Sequence, residues 1–160
     1  MVIRLEKEVD IIGAGRVASI TYSKSEGWGT MQFTSNVTTV TKESFANIDN
    51  LSSIILPNII IAIEDRAFIG CENLKSIAIS DSVTTIGGRA FSGCSSLKSV
   101  TISNNVATIG ERAFRGCKGL TSITIPESVT SIEVAAFSNC QNLACIYIKS
   151  STPPLFDTIG

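Results

Sequence analysis

Apolar residues in this chain recur at a fixed spacing of 23, longer than any helix or strand period. Phe45, Phe68, Phe91, Phe114 and Phe137 form one column, and Leu51, Leu74, Leu97, Leu120 and Leu143 form another. A third holds Ile54, Ile77, Val100, Ile123 and Ile146; a fourth holds Val40, Ile63, Ile86, Ile109 and Ile132. The fifth runs through Phe33, Leu56, Ile79, Ile102, Ile125 and Ile148. Columns kept in register over successive units mark a repeat architecture, whose units bury their apolar faces against one another.

The unit itself predicts the elements. Its Leu-x-x-Ile-x-Ile end alternates with period two, as in Leu120, Ile123 and Ile125, which reads as a short strand. Units this small coil, so each strand lies beside the same strand of the next unit in a parallel ladder, with neighbours ~4.8 Å apart. The stretch around Ala113 and Phe114 has room for about one helical or 3₁₀ turn. Val83 to Ile86 and its equivalents predict a second short ladder on another side. Stepping back by the same period places Val17, Tyr22, Trp28 and Met31 in the apolar columns. The expectation is therefore six parallel strands, centred near Met31, Ile54, Ile77, Val100, Ile123 and Ile146. Residues 1–9 fall out of register and are expected to form a capping strand. At the other end Leu155 sits in the column of Ile132, and an uncovered ladder edge is expected to be open to edge-to-edge self-association.

The best-preserved unit, Ile125-Pro126-Glu127-Ser128-Val129-Thr130-Ser131-Ile132 followed by Ala136-Phe137 and Cys140, resembles the BspA-like class of leucine-rich repeats. Its pattern is Ile-Pro-x-Ser-Val-Thr-x-Ile-Gly-x-x-Ala-Phe-x-x-Cys-x-x-Leu-x-x-Ile-x-Ile, and the resemblance covers about residues 33–148. Ser151-Thr152-Pro153-Pro154 also resembles the segment after the last repeat in such proteins. The resemblance implies a leucine-rich-repeat solenoid, a right-handed coil with a parallel β-ladder and short helical or 3₁₀ turns. On that basis residues 1–32 are an N-terminal cap and degenerate repeat, 33–148 five repeats, and 149–160 a C-terminal tail. The resemblance also implies a bacterial cell-surface or secreted protein that binds a protein or glycan. An intracellular interaction scaffold and a spacer segment of a larger surface protein stand beside that reading.

Composition removes several function classes. Lys+Arg 13 against Asp+Glu 14 gives a net charge of -1, so nothing draws the chain electrostatically to nucleic acid or anionic membrane. No apolar run reaches the ~20 residues of a membrane span. The charged start from Met1 to Glu8 is unlike a signal peptide, which fits either synthesis without one or a piece of a longer protein. The chain has no His, so no acyl-transfer triad of the usual kind can be assembled, and no enzyme activity, cofactor or metal is expected. Gly13-Ala14-Gly15-Arg16-Val17-Ala18 mimics a dinucleotide fingerprint, but the β-branched run after it is not the helix that motif needs.

The remaining candidates lie in columns. Cys71, Cys94, Cys117 and Cys140 share a position with Ile48, so they read as packing residues rather than zinc ligands. With Phe45, Phe68, Phe91, Phe114, Phe137, Leu74, Leu97 and Leu120 they make the expected core. Cys145 stands instead in a column of Ser53, Ser76, Ser99 and Ser122, which predicts exposure. Arg66, Arg89 and Arg112 stack one per repeat, as either a solvated ridge with local ion pairs or an anion-binding ridge. Residues between the inward strand positions should form the working face: Ser53 and Ile55, Ser76 and Ala78, Ser99 and Thr101, Ser122 and Thr124, and Cys145 and Tyr147, with Lys149 beside them at its C-terminal end.

Overall fold

The computed structural model describes residues 2–5, 17–23, 28–33 and 38–156, and the first three spans are strands. In chain order the N-terminal strands are β1 (Val2–Leu5), β2 (Val17–Ser23) and β3 (Trp28–Phe33). Next come β4 (Thr39–Val40), β5 (Leu51–Ile55), β6 (Ala62–Ile63), β7 (Ser76–Ala78), β8 (Thr85–Ile86) and β9 (Ser99–Thr101). The last are β10 (Thr108–Ile109), β11 (Ser122–Ile125), β12 (Ser131–Ile132), β13 (Cys145–Ile148) and β14 (Leu155–Phe156).

From β4 onward the chain is a solenoid. One wall is the parallel series β5, β7 and β9, with Ile54 beside Ile77 and Ile77 beside Val100. It is followed by the parallel pair β11 and β13, with Ile123 beside Ile146. The second wall runs β4, β6, β8, β10, β12 and β14, every neighbour parallel. The third wall has no strands. Its turns stack through backbone bonds between coils: the N–H of Phe68 donates to Ala90 O at 2.8 Å, and that of Phe91 to Ala113 O at 2.8 Å. Successive coils thus bond to one another through their backbones, which binds them together as hydrophobic burial does.

One continuous core fills the space between the walls, and the column residues supply it. The Phe rings stack along the axis with centroids 4.9, 5.2, 5.2 and 5.6 Å apart and planes within 12° of parallel. Phe68, Phe91 and Phe114 are fully buried. Phe137, in the last coil, is only half-buried.

Three expectations need correction. First, the strand through Met31 is not a parallel rung: β3 pairs antiparallel with β2 and with β1. β1 in turn lies antiparallel on β5, with Ile3 opposite Ile54. The 23-residue match of Tyr22, Trp28 and Met31 reports apolar character, which an antiparallel meander also requires, and says nothing of strand direction. Second, Leu155 does not continue the Ile132 column. Ser131 pairs with Leu155 and Ile132 with Phe156, so the tail that contains Pro153 and Pro154 takes one residue more than a repeat. Third, no described residue is helical. The expected helical turns are tight turns closed by i+3→i bonds, such as Ala113 N to Gly110 O at 3.1 Å and Cys117 N to Phe114 O at 3.2 Å. Residues 6–16, which hold the glycines of the dinucleotide-like motif, lie outside the described residues; the run after them is strand β2.

Candidate functional site

The turns fix the geometry of the third wall. Gly70, Gly93 and Gly116 have φ of 71°, 79° and 72°, and Asn47 and Asn139 hold the same column at 56° and 59°. Gly adopts this left-handed conformation freely and Asn tolerates it. A second left-handed column runs through Glu43, Arg66, Arg89, Arg112 and Ala135, all with φ of 54–59°. The arginine column therefore sits at strained backbone positions, one per coil.

The guanidinium groups are partly exposed and paired. Arg66 Nη1 lies 3.2 Å from Glu43 Oε1, the residue one coil back in its own column. Arg89 Nη2 lies 3.8 Å from Glu111 Oε1, which Arg112 also contacts. Around them, Asp65 accepts a bond from the N–H of Gly88 at 2.7 Å, and Glu64 from the N–H of Lys42 at 2.8 Å. The like charges of the column are thus offset by carboxylates set between them. That arrangement favours the ridge with local ion pairs over a free anion-binding strip.

The cysteine column faces the core. Cys71, Cys94 and Cys117 are buried, and Cys140 is half-buried. Each thiol donates to the carbonyl oxygen of the Phe one coil back: Cys71 to Phe45 at 2.8 Å, Cys94 to Phe68 at 3.2 Å, Cys117 to Phe91 at 3.3 Å and Cys140 to Phe114 at 3.1 Å. Burial pushes the Cys71 thiol up to about 11 and holds Cys94, Cys117 and Cys140 above the ordinary thiol value. Neutral, hydrogen-bonded thiols of this kind are poor nucleophiles and poor metal ligands. Among the described residues no group of three or more His, Cys, Asp or Glu side chains converges as a metal site would require.

The outward strand face carries Ser76, Ala78, Ser99, Thr101, Ser122 and Thr124, all exposed, with Cys145, Tyr147 and Lys149 at its C-terminal end. Tyr147 is 58% exposed. Its hydroxyl is raised above the usual value, first by a hydrogen bond with Cys145 and then by the neighbouring thiol's charge. The structure brings Tyr147, Cys145 and Lys149 onto one edge strand or its end and leaves the arginine column on a different wall. Sequence reading missed Ile59 and Ile61, which are exposed in the loop after β5. The available signal was substitution within columns, because the next two repeats hold Ser82 and Asn105, then Thr84 and Ala107, at those places.

A solenoid with two parallel ladders, an aromatic spine and a buried thiol column defines the chain as a leucine-rich-repeat protein. Residues 17–152 match the BspA type leucine rich repeat region in 6 copies, and the chain belongs to that family. It is similar to a leucine rich cell surface protein from Faecalibacterium prausnitzii, with 36% identity and a TM-score of 0.70, over 72% of this chain and 30% of that one. A leucine-rich repeat protein from Bacteroides ovatus matches 95% of this chain and 43% of its own length, at 26% identity and a TM-score of 0.72. The leucine rich repeat protein of T. pallidum matches 74% of this chain and 67% of its own, at 26% identity and a TM-score of 0.64. The chain thus spans under half the length of the first two. No curated protein sequence matches it. Leucine-rich-repeat proteins generally serve as interaction or adhesion modules and are typically non-catalytic. Among the described residues no helix is long and apolar enough to cross a membrane.

Proposed function

We propose that this chain is a non-catalytic binding module that docks a protein or glycan through its outward strand face, with the contact centred on Tyr147. The observation that carries this reading is the character of that face. Its outward strand positions Ser76, Ala78, Ser99, Thr101, Ser122 and Thr124 are exposed and uncharged, and it ends in one large exposed aromatic side chain, Tyr147. Ser99, Thr101, Ser122 and Thr124 supply hydroxyls for shape-matched hydrogen bonding, and Lys149 supplies one cation at the rim. The arginine column is the rival surface, and its shared carboxylates argue for a structural role there.

The test is binding of the folded chain to a panel of immobilised extracellular-matrix proteins and an array of glycans. Tyr147→Ala should weaken any interaction found by roughly tenfold or more, the usual loss for a buried aromatic anchor. Arg89→Ala should leave it within about twofold, as for an exposed, internally paired charge. Loss with Arg89→Ala and not with Tyr147→Ala would move the site to the arginine column. No binding across the panel would favour a spacer segment of a larger surface protein.

A further inference from the structure

We infer that the partner of the outward strand face is a polypeptide segment of mixed charge that lies along the central strands. Its carboxylates sit at the corner where those strands begin and its cations at the corner where they end. The inference rests on the strand-face reading above and narrows the partner from protein or glycan to protein.

Charge is divided across the three central coils. The turns that lead into β7, β9 and β11, residues 69–75, 92–98 and 115–121, hold four cations, Lys75, Lys98, Arg115 and Lys118, against one acid, Glu72. The turns that follow the same strands, residues 80–82, 103–105 and 126–128, hold two acids, Asp81 and Glu127, and no cation. All of these charged residues are exposed. Between the two corners the outward positions are the uncharged Ser, Ala and Thr of the strand face. The division stops at the flanking coils: the turn before β5 carries Asp49 and no cation, and Lys149 follows β13.

The cations of the leading corner differ from those of the arginine column. Arg66, Arg89 and Arg112 each have a carboxylate beside them. Lys98, Arg115 and Lys118 have no ion pair among the described residues, and neither have Asp81 and Glu127. No Asp or Glu stands within residues 90–99 or 113–122, nor in the equivalent stretch 136–145 of the next coil. The backbone sets these cations on adjacent coils of one corner: the N–H of Lys98 donates to Lys75 O at 3.0 Å, and that of Gly119, next to Lys118, to Ser95 O at 2.9 Å. An outside anion therefore meets unneutralised charge here, whereas at the arginine column it competes with the chain's own carboxylates.

The separation of the corners selects the occupant. Lys98 and Asn104, which holds the column of Glu127, are six residues apart, or ~20 Å of extended chain. That exceeds the Debye length of ~8 Å at physiological salt, so the corners act as two local fields and do not average to the near-zero charge of the chain. A polyanionic glycan crossing the face gains at the first corner and is repelled at the second. An uncharged glycan gains at neither. A polypeptide segment carries both signs in one stretch, and about six extended residues cover the span. Neighbouring coils are ~4.8 Å apart, so β7, β9 and β11 together present ~10 Å, a width that one segment with its side chains covers. Lying there, the segment has Tyr147 on its flank, because Thr124 pairs directly with Tyr147. Exposed charges of this kind decide which partner binds, and how fast, more than how tightly.

The experiment is a selection from a display library of random peptides of about twelve residues, twice the span, on the immobilised whole chain. The same library is run against two variants at exposed positions, Lys98→Glu with Lys118→Glu, and Asp81→Lys with Glu127→Lys, each checked for an unchanged unfolding curve. Peptides held by the wild type are expected to carry acidic and basic residues about six apart. The first variant should select peptides that are basic at both ends, and the second peptides that are acidic at both ends. A wild-type peptide in solution should bind the first variant about tenfold more weakly, two exposed pairs being lost and reversed, and should regain affinity when its acidic end is made basic. Tyr147→Ala separates this inference from the reading it rests on. Peptides without a charge pattern that still need Tyr147 overturn the inference and leave the strand-face reading standing. So do peptides selected for acidity alone, or a library that yields nothing while a glycan of the array binds. Mixed-charge peptides that ignore Tyr147→Ala uphold the two corners and overturn only the anchor. A library, protein panel and glycan array that all yield nothing overturn both.

Discussion

Ile54 and Ile146 occupy the same column, on the same wall, in coils that differ mainly in what lies beyond them. Ile54 is 1% exposed and Ile146 is 40% exposed. Beyond Ile54 lies β1, antiparallel on β5; beyond Ile146 no strand is described. Identical side chains in equivalent positions thus have different environments for a reason outside their own repeat. A coil's stability is a property of its neighbours, as expected when each unit is too small to enclose a core. The same contrast runs along the aromatic spine, where Phe91 is enclosed from both sides and Phe137 from one.

The spine gives the largest test of that contrast. Phe91→Ala should cost ~3–5 kcal/mol, because a cavity opens between two rings that cannot close over it. Phe137→Ala removes the same atoms from a half-buried site and should cost about 1–2 kcal/mol. Urea unfolding of both variants measures the pair. Equal losses would mean that the end coil is as well enclosed as the middle. Next in size is the column that defines the two ends. Ile54→Ala should cost ~2–4 kcal/mol and Ile146→Ala under about 1.5 kcal/mol. If Ile146→Ala is the more damaging, the C-terminal end is covered in solution by something outside this chain's described residues.

Most of the solenoid was legible because its physics is columnar. A position that accepts Phe, Leu or Ile at every repeat must face the same interior each time, and the Phe stack and the buried thiols follow. Cys and Ile48 sharing a column identified a packing site without any structure. Direction was the part that periodicity could not carry. Tyr22, Trp28 and Met31 obey the period, yet β2 and β3 form a hairpin. A local signal was present: two β-rich runs separated by Lys24, Ser25, Glu26 and Gly27, the composition of a hairpin connection. At the other end the tail's extra residue shifts Leu155 out of its column, and spacing alone gives no warning of a one-residue insertion. The turn columns divide in the same way. Asn47, Gly70, Gly93, Gly116 and Asn139 advertise left-handed backbone by composition. Glu43, Arg66, Arg89, Arg112 and Ala135 adopt it with side chains that ordinarily avoid it, so the arginines read as charges rather than as strained turns.

Thiol chemistry sharpens the middle-versus-end comparison at a smaller scale. With a soluble maleimide on the native chain, Cys145 should react first and Cys140 next. Cys71, Cys94 and Cys117 should wait for unfolding, in keeping with their burial. The same burial makes stability pH-dependent. In the folded chain Cys71 keeps its proton up to about 11, against 9.0 for the free thiol. Between those values the unfolded state loses the proton and the folded state does not. Rising pH therefore favours unfolding through that window, by on the order of 2 kcal/mol for this thiol alone. Cys71→Ala, measured against wild type from pH 8 to 11, should remove that part of the slope; identical slopes would show the thiol to be solvated.

The smallest effect separates strain from charge in the arginine column. Arg89 has φ of 55°, and its side chain lies 3.8 Å from Glu111 Oε1. An exposed pair of this length contributes about 0–1 kcal/mol. The left-handed backbone costs a residue with a Cβ ~1–2 kcal/mol, whereas Gly escapes that cost and surrenders ~0.4–1 kcal/mol of extra unfolded-state freedom. Arg89→Gly and Arg89→Ala lose the same ion pair, so their difference isolates the backbone. Arg89→Gly should be the more stable of the two by about 0.5–1 kcal/mol. At the end of the column Ala135, with the same φ of 55°, has no ion pair to lose. Ala135→Gly should therefore raise stability by up to about 1 kcal/mol, a gain that Arg89→Gly only partly shows because it also gives up Glu111. Thermal unfolding of the three variants decides it. If Arg89→Ala proves more stable than Arg89→Gly, the turn's conformation carries no strain, and the arginines hold their column for their charge alone.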